Sequence, residues 1–376
     1  MSKNKKVLVA LSGGIDSSAA AFLLKKKGYE VSAVFMRFWK ETKEENKCCS
    51  AELEAQAKKV CQKLEIPFYV FDFRKEFKKW VVDDFLRAYK KGLTPNPCVV
   101  CNEKIKIGLL LKKARAMGFD FLATGHYARI WEDKNGFHLG VARDLRKDQS
   151  YFLYRLSRDD IKYLLFPLGE YLKSEVKEIV KKSKIPAKLA VESQEICFVP
   201  GGDIASFLKQ TLIRETAEDS PPLFSGGLSS AGLKRGEIVD SNGKKLGIHS
   251  GLSLYTLGQR RGIGLSGGPF YVLKKDFKKN QLVVTKDKKE LYRDEFFVGP
   301  LFWHAPRAKK AAEVLVKTRS TDKFRKAKVI FQKNKTKVVL KNPCFAPTPG
   351  QSAVFYKDTR KKPKEVLGGG IILTNG

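Results

Sequence analysis

An apolar run at residues 7–11 (VLVAL), then Ser12-Gly13-Gly14-Ile15-Asp16-Ser17-Ser18, then a helical pattern over 17–27, limits this chain more than any other stretch. A run that short and apolar reads as a buried strand, and the helix after it is closed by Gly28. Paired glycines let backbone N–H groups approach an anion, and the helix N-terminus adds the positive end of its dipole. Ser12, Ser17 and Ser18 add hydroxyl donors. The plainer alternative is a helix start after a glycine turn with Asp16 and Ser17 as caps, and phosphate binding is the preferred reading. The loop has neither the Lys of GxxxxGK[ST] nor the spacing GxGxxG, so it belongs to neither of those nucleotide motifs.

Further strands are expected at 31–35, 68–71 and 121–124, with helices at Ala51–Leu64 and 102–117 between them. Alternation of that kind predicts an α/β domain, a parallel sheet covered by helices, over residues 1–205. Between 219 and 268 the composition shifts to Ser, Gly and Pro with short alternating runs, which predicts a small central domain over 206–272. From about Phe270 onward YVLKKD, QLVVTKD, EVLVKTR, KVVLK, SAVFY and GGGIIL recur between turn residues, and a compact β-barrel over 273–376 is the natural packing. Three domains suit a chain of 376 residues, and no internal repeat is visible.

The chain has 73 Lys plus Arg against 40 Asp plus Glu, a formal charge of +33. An excess of that size suggests a polyanionic partner, because cations that neutralise phosphates release condensed counterions. A generally basic, lysine-solvated surface would give the same composition. Seven cysteines, not spaced like a small secreted framework, suit reduced thiols in a cytoplasmic protein. The apolar run behind the basic start is too short for a signal sequence or a membrane span, so no membrane partner is expected.

The order ALSGGIDSS, TPNPCVVCN, ATGHYAR, KDQSYFLY, ESQEICFVP, GLSLYTLGQRRGIG, TPGQSAVFY resembles, nearly end to end, the tRNA-specific 2-thiouridylase (MnmA) family. That family lies among the PP-loop ATP pyrophosphatases, whose fold is Rossmann-like and adenine nucleotide alpha-hydrolase-like. The resemblance implies a PP-loop catalytic domain, a small central domain and a C-terminal barrel that grips tRNA. It implies a sulfurtransferase: ATP with Mg2+ activates the C2 oxygen of uridine 34, and sulfur replaces it to give 2-thiouridine. It places ATP on Ala10, Leu11, Ser12, Gly13, Gly14, Ile15, Asp16, Ser17, Met36 and Gly125. It places tRNA on Asn96, Pro97, Cys98, His126, Lys147, Asp148, Gln149, Arg319, Ser320 and Gln351. The family's Arg-Tyr pair is only half kept in Arg319-Ser320. The tRNAs implied are those for Glu, Gln and Lys, and the partner is a sulfur donor such as a cysteine desulfurase or a sulfur-relay protein.

Cys101 stands directly before the helix expected at 102–117, where a helix N-terminus in a basic protein favours the thiolate. Pro95 and Pro97 would stiffen the loop before it. By resemblance Cys101 is the nucleophile, and Cys197 receives a persulfide sulfur and delivers it to the activated base. Cys98 departs from the best-known members, which carry Asp there. It makes a Cys-x-x-Cys pair with Cys101, and with Cys197 the three could hold a [4Fe–4S] cluster with one open iron, as in the iron–sulfur-dependent tRNA thiolases that this set resembles. Two routes therefore stand open: a Cys197 persulfide followed by a Cys101–Cys197 disulfide, or a cluster. Zinc is the weaker candidate, since CxxC supplies two of four ligands. Adjacent Cys48 and Cys49 would point to opposite faces of an extended segment and read as loop or core thiols, and Cys61 and Cys344 have no assigned role.

Two other classes share part of this pattern. An ATP pyrophosphatase acting on a small metabolite would share SGGIDSS without needing Cys101, Cys197 or a basic barrel. A non-catalytic RNA-binding module would explain the charge but not the phosphate loop.

Overall fold

The computed structural model describes residues 4–39, 51–187, 196–217, 232, 234–304, 310–359 and 363–374. Cys48 and Cys49 lie outside these residues.

Along the first part run β1 (Lys6–Ala10), α1 (Ile15–Lys26), β2 (Glu30–Arg37), α2 (Ala51–Leu64), β3 (Phe68–Asp72), β4 (Phe121–Ala123), a hairpin of β5 (Ala128–Asp133) and β6 (Gly136–Val141), and β7 (Leu164–Leu165). Five of these strands form one sheet in the order β3-β2-β1-β4-β7, parallel at every pairing. Val7, Leu8 and Val9 of β1 are fully buried, which is why that strand reads as an unbroken apolar run and not as an alternating one. Val7 and Val9 face Ala19, Ala20 and Leu23 of α1, while Leu8 joins the cluster on the sheet's other side with Phe77, Phe85 and Ile105. The α/β expectation is met, with strands close to those the sequence indicates.

The sequence does not announce the hairpin. It leaves the parallel sheet altogether, and Gly140 of β6 pairs with Glu365 far along the chain. His138 ties it there, with Nδ1 2.7 Å from a Glu365 oxygen and Nε2 2.8 Å from an Asp133 oxygen.

In the middle region β8 (Gly236–Val239), β9 (Lys245–His249), β10 (Tyr271–Asp276) and β11 (Gln281–Thr285) form a sheet in the order β10-β11-β8-β9. YVLKKD and QLVVTKD, which the sequence suggests as barrel strands, thus belong here, because β11 runs parallel beside β8. Val272, Leu282 and Val284 point into the same small core as Ile238 and Leu252, and that shared apolar face decides the assignment.

The C-terminal strands are β12 (Tyr292–Trp303), β13 (Ala311–Lys317), β14 (Arg325–Phe331), β15 (Thr336–Phe345), β16 (Ser352–Lys357) and β17 (Glu365–Ile372). They follow the order β12-β15-β14-β13-β16-β17, and β17 pairs back onto β12, closing a six-stranded antiparallel barrel. Val298, Val316, Val329, Val338 and Phe355 fill its interior while Lys326, Lys328 and Lys337 lie on its outer side. Basic outer faces on apolar strands are what the lysine-rich segments encode. No helix among the described residues is long and apolar enough to cross a membrane.

Two histidines are locked neutral by this architecture. Gly251 N–H donates to His249 Nδ1 (3.0 Å) and the ring's Nε2 donates to Asn280 O (3.1 Å), so a second proton has no place. His304 Nε2 donates to Tyr154 O at 2.6 Å. Burial pushes both pKa values below the ordinary histidine range. The unfolded chain takes up these protons near pH ~6.5 and the folded chain only at lower pH, so over that window the unfolded state binds more protons and stability falls on acidification. Urea unfolding at pH 8 and pH 5 should show that loss, at most about 1.4 kcal/mol per pH unit for each histidine. His249→Asn should flatten the slope. An equal slope in the variant would contradict this reading of His249.

Candidate active site

The loop after β1 is shaped by contacts that only glycine permits. Gly13 has φ +78, and a Cβ there would lie 2.9 Å from Leu53 O in α2. Ser17 closes the loop from inside: its Oγ accepts from Ser12 N (3.1 Å), lies 3.1 Å from Ser12 Oγ and reaches Gly14 O at 3.2 Å. Ser18 Oγ donates to Gly14 O at 2.9 Å. α1 starts at Ile15 with Gly14 as N-cap and no side-chain cap bond, so neither Asp16 nor Ser17 caps this helix. The first-turn amides are thereby left facing the loop.

Asp16 is occupied differently. Lys173 Nζ donates to both its oxygens (2.6 and 2.7 Å), and the Tyr127 hydroxyl donates to one at 2.8 Å. Nothing in the sequence marks Lys173. It stands among the first residues of a helix whose backbone is tied to Asp144. Gly125, at the end of β4, allows a close approach as expected, but to protein: a Cβ there would lie 2.8 Å from Ser17 N and 2.9 Å from Asp16 C. Met36 lies at the end of β2, half-buried beside the cluster of Phe77 and Phe85. Ala10 and Leu11 end β1, with Leu11 N bonded to Val34 O.

The cysteine helix begins earlier than the sequence suggests. It starts at Pro97, where a missing N–H costs nothing, and Pro97–Cys101 runs on through a π-helical stretch, Asn102–Leu109, into Leu110–Ala116. Cys98 is therefore the first-turn thiol and is exposed, whereas Cys101 is a turn further in and buried. Wide π turns need room, and a Cβ on Gly108 would lie 2.3 Å from Glu103 O. Cys197 is half-buried and packs on the same hydrophobic cluster as Cys101. Its neighbour Phe198 is clamped edge-on by Phe77, Phe85 and Phe207. Among the described residues no three His, Cys, Asp or Glu side chains converge on a metal position. Burial pushes the Cys61 thiol up to about 12 and the Cys344 thiol up to about 11, which leaves both as inert core groups.

His126 follows Gly125. Thr124 Oγ1 lies 2.6 Å from its Nδ1, and burial, with Lys106 nearby, pushes its pKa down to about 3. It is a neutral imidazole at physiological pH, and the tautomer that the Thr124 hydroxyl selects decides whether its other nitrogen donates or accepts. Asp148 and Gln149 are engaged within the chain. Asp148 accepts from Ala142 N and from the Ser150 hydroxyl, and Gln149 bonds the Tyr127 backbone through both its Oε1 and its own N–H. Lys147 is half-buried beside them. In the barrel, Arg319 donates to Ala346 O, Ser320 sits in the turn after β13, and Gln351 reaches Thr94 O and Pro95 O, while Asn96 bonds the Tyr151 phenol.

A parallel-sheet domain with a non-Walker anion loop, two cysteine segments on one core cluster and a basic closed barrel define a nucleotide-dependent α/β enzyme with thiols at its service. Family models match three successive parts of the chain: a tRNA methyl transferase HUP domain over residues 5–201, a tRNA methyl transferase PRC-barrel domain over 229–286 and an aminomethyltransferase beta-barrel domain over 293–372. The tRNA-specific 2-thiouridylase MnmA of Chloroflexus aggregans is 45% identical over 97% of this chain and 98% of its own length. That of Clostridium botulinum is 39% identical over 98% of both. The chain belongs to the tRNA-specific 2-thiouridylase (MnmA) family. A U34-tRNA thiolase NcsA from Methanococcus maripaludis, solved with its [4Fe-4S] cluster, overlaps 55% of this chain and 66% of its own at 19% identity and TM-score 0.32, too loosely to bear on cofactors.

Gly125→Ala should weaken ATP binding by about 10-fold or more, since the added methyl must push β4 away from the first turn of α1, a shift of order 1–3 kcal/mol. Calorimetric titration of ATP into wild type and variant checks it. Unchanged affinity would show that this approach does not shape the nucleotide loop.

Proposed function

We infer that the chain is a tRNA uridine 2-sulfurtransferase that uses ATP to activate the C2 oxygen of uridine 34 and replaces that oxygen with sulfur. The observation that carries the reading is the pairing of an anion loop free of Walker features with Cys101 and Cys197 on one core cluster. Full-length likeness to curated 2-thiouridylases supports the same chemistry. The family models' descriptions name methyl transfer instead. We follow the relatives, because methyl transfer would leave the phosphate loop and the paired cysteines without use.

In this reading the loop N–H groups and the hydroxyls of Ser12 and Ser17 hold the polyphosphate, with Mg2+ alongside ATP. The uridine O2 attacks the α-phosphorus, pyrophosphate leaves, and an O-adenylated base results. The terminal sulfur of a Cys197 persulfide attacks C2, and AMP departs with the oxygen. The Cys101 thiolate then attacks Cys197 Sγ, so the new Cys101–Cys197 disulfide forms as the S–S bond to the base breaks, releasing 2-thiouridine. A two-electron thiol reductant restores both cysteines. No step is routed through a cluster.

Asn96, Pro97 and Cys98 border the uridine, and the neutral His126, Lys147 and Arg319 offer contacts to the RNA. The family resemblance supports tRNAs for Glu, Gln and Lys and a cysteine desulfurase or relay protein as donor, and a cytoplasmic setting suits both. A metabolite-activating ATP pyrophosphatase is not favoured, since the relatives match over the whole chain, barrel included.

With a U34-containing transcript, AMP formation should depend on tRNA. Cys101→Ser and Cys197→Ser should each lower 2-thiouridine yield by about 10²-fold or more, with Cys197→Ser still forming AMP. ATP–pyrophosphate exchange without tRNA would favour the metabolite enzyme. Stoichiometric iron and sulfide in anaerobically purified protein, with activity lost on chelation, would overturn the persulfide route.

A further inference from the structure

We propose that the barrel turn at 348–352 positions the catalytic loop, with Gln351 as the positioning residue that holds Thr94 and Pro95 ahead of the Cys98–Cys101 helix. The proposal rests on the sulfurtransferase reading for its meaning but not for its geometry.

The loop TPNP has unusual needs. Pro95 and Pro97 lack N–H groups, so the carbonyls around them find few local donors. Gln351 supplies them: its Nε2 donates to Thr94 O at 2.9 Å and to Pro95 O at 3.2 Å. Thr94 N–H returns a bond to Pro349 O at 2.9 Å. The next residue is held from the same side, since the Asn96 side chain hydrogen-bonds the Tyr151 phenol and that phenol donates to Ser352 O at 2.8 Å. Three successive residues of the loop are thus tied, directly or through one phenol, to three residues of the barrel turn, Pro349, Gln351 and Ser352.

The approach is too close for anything but glycine between them. Gly350 has φ +92, and a Cβ there would lie 2.8 Å from Thr94 N and 2.9 Å from Leu93 Cβ. The turn itself is fixed to the barrel, with Gly350 N bonded to Ile372 O and Ile372 N to Gln351 O. Thr94, Thr348 and Pro349 also border a cavity of about 680 Å³. Anything that moves the barrel turn moves the start of the cysteine helix.

A residue that only touches RNA would change RNA affinity alone. Hydrogen exchange of the 93–101 segment in protein without tRNA separates the two roles, and needs no enzymatic activity. Gln351→Ala and Gln351→Glu, which lose the donor, should raise exchange there by about 10-fold or more. Gln351→Lys, which still donates to both carbonyls, should restore protection, and Gly350→Ala should expose the same segment by displacing the turn. Under saturating tRNA, kcat of Gln351→Ala should fall by about 10-fold while tRNA Kd by filter binding changes less than about threefold. Unchanged exchange in the donor-less variants, with the loss confined to Kd, overturns the proposal. Exchange changes without any thiolation in wild type would leave the brace standing and remove the functional reading.

Discussion

A β-carbon on Gly125 would lie 2.8 Å from the Ser17 nitrogen, and one on Gly13 would lie 2.9 Å from the Leu53 carbonyl oxygen. β4, α1 and α2 therefore approach one another backbone to backbone around the loop of residues 12–18. Side chains cannot substitute for that contact, because a close-packed interior has no room for an added methyl here. Once these backbones are fixed, Ser17 can fold back on Ser12 and Gly14, Tyr127 and Lys173 can meet on Asp16, and the first-turn amides of α1 stay open. The hairpin and the 147–150 turn that follow β4 then carry the chain across to the barrel.

Much of this was legible. The buried run of β1, the glycines after it and the helix of α1 follow from local rules, and the strands of the parallel sheet stand where apolar runs stand. Three features were not legible for physical reasons. The helix start at Pro97 was hidden because the π-helical stretch at Asn102–Leu109 disturbs the 3.6-residue spacing that would reveal one continuous helix. β10 and β11 read as barrel strands because alternation gives no information on which sheet a strand joins. Lys173 was invisible because its partner, Asp16, lies at the other end of the domain's sequence and only packing joins them.

The candidate site divides along the same line. Residue types and order marked Cys101, Cys197 and the 12–18 loop. Their surroundings came only from tertiary contacts: Asp148 and Gln149 turn inward, Gln351 reaches across to Thr94 and Pro95, and Cys98 takes the exposed first-turn position that the sequence suggested for Cys101. A first-turn thiol lies nearer the positive end of the helix dipole, while a buried thiol such as Cys101 is shielded until the site opens or a substrate reaches it.

The account turns on where the electrons go when sulfur leaves the protein. Protein loaded with persulfide at Cys197, given ATP and a U34 transcript for a single turnover without reductant, can be digested and mapped for cysteine pairs. A Cys101–Cys197 disulfide formed in equal amount to 2-thiouridine is the result this account predicts. 2-Thiouridine formed while both cysteines remain thiols would contradict it.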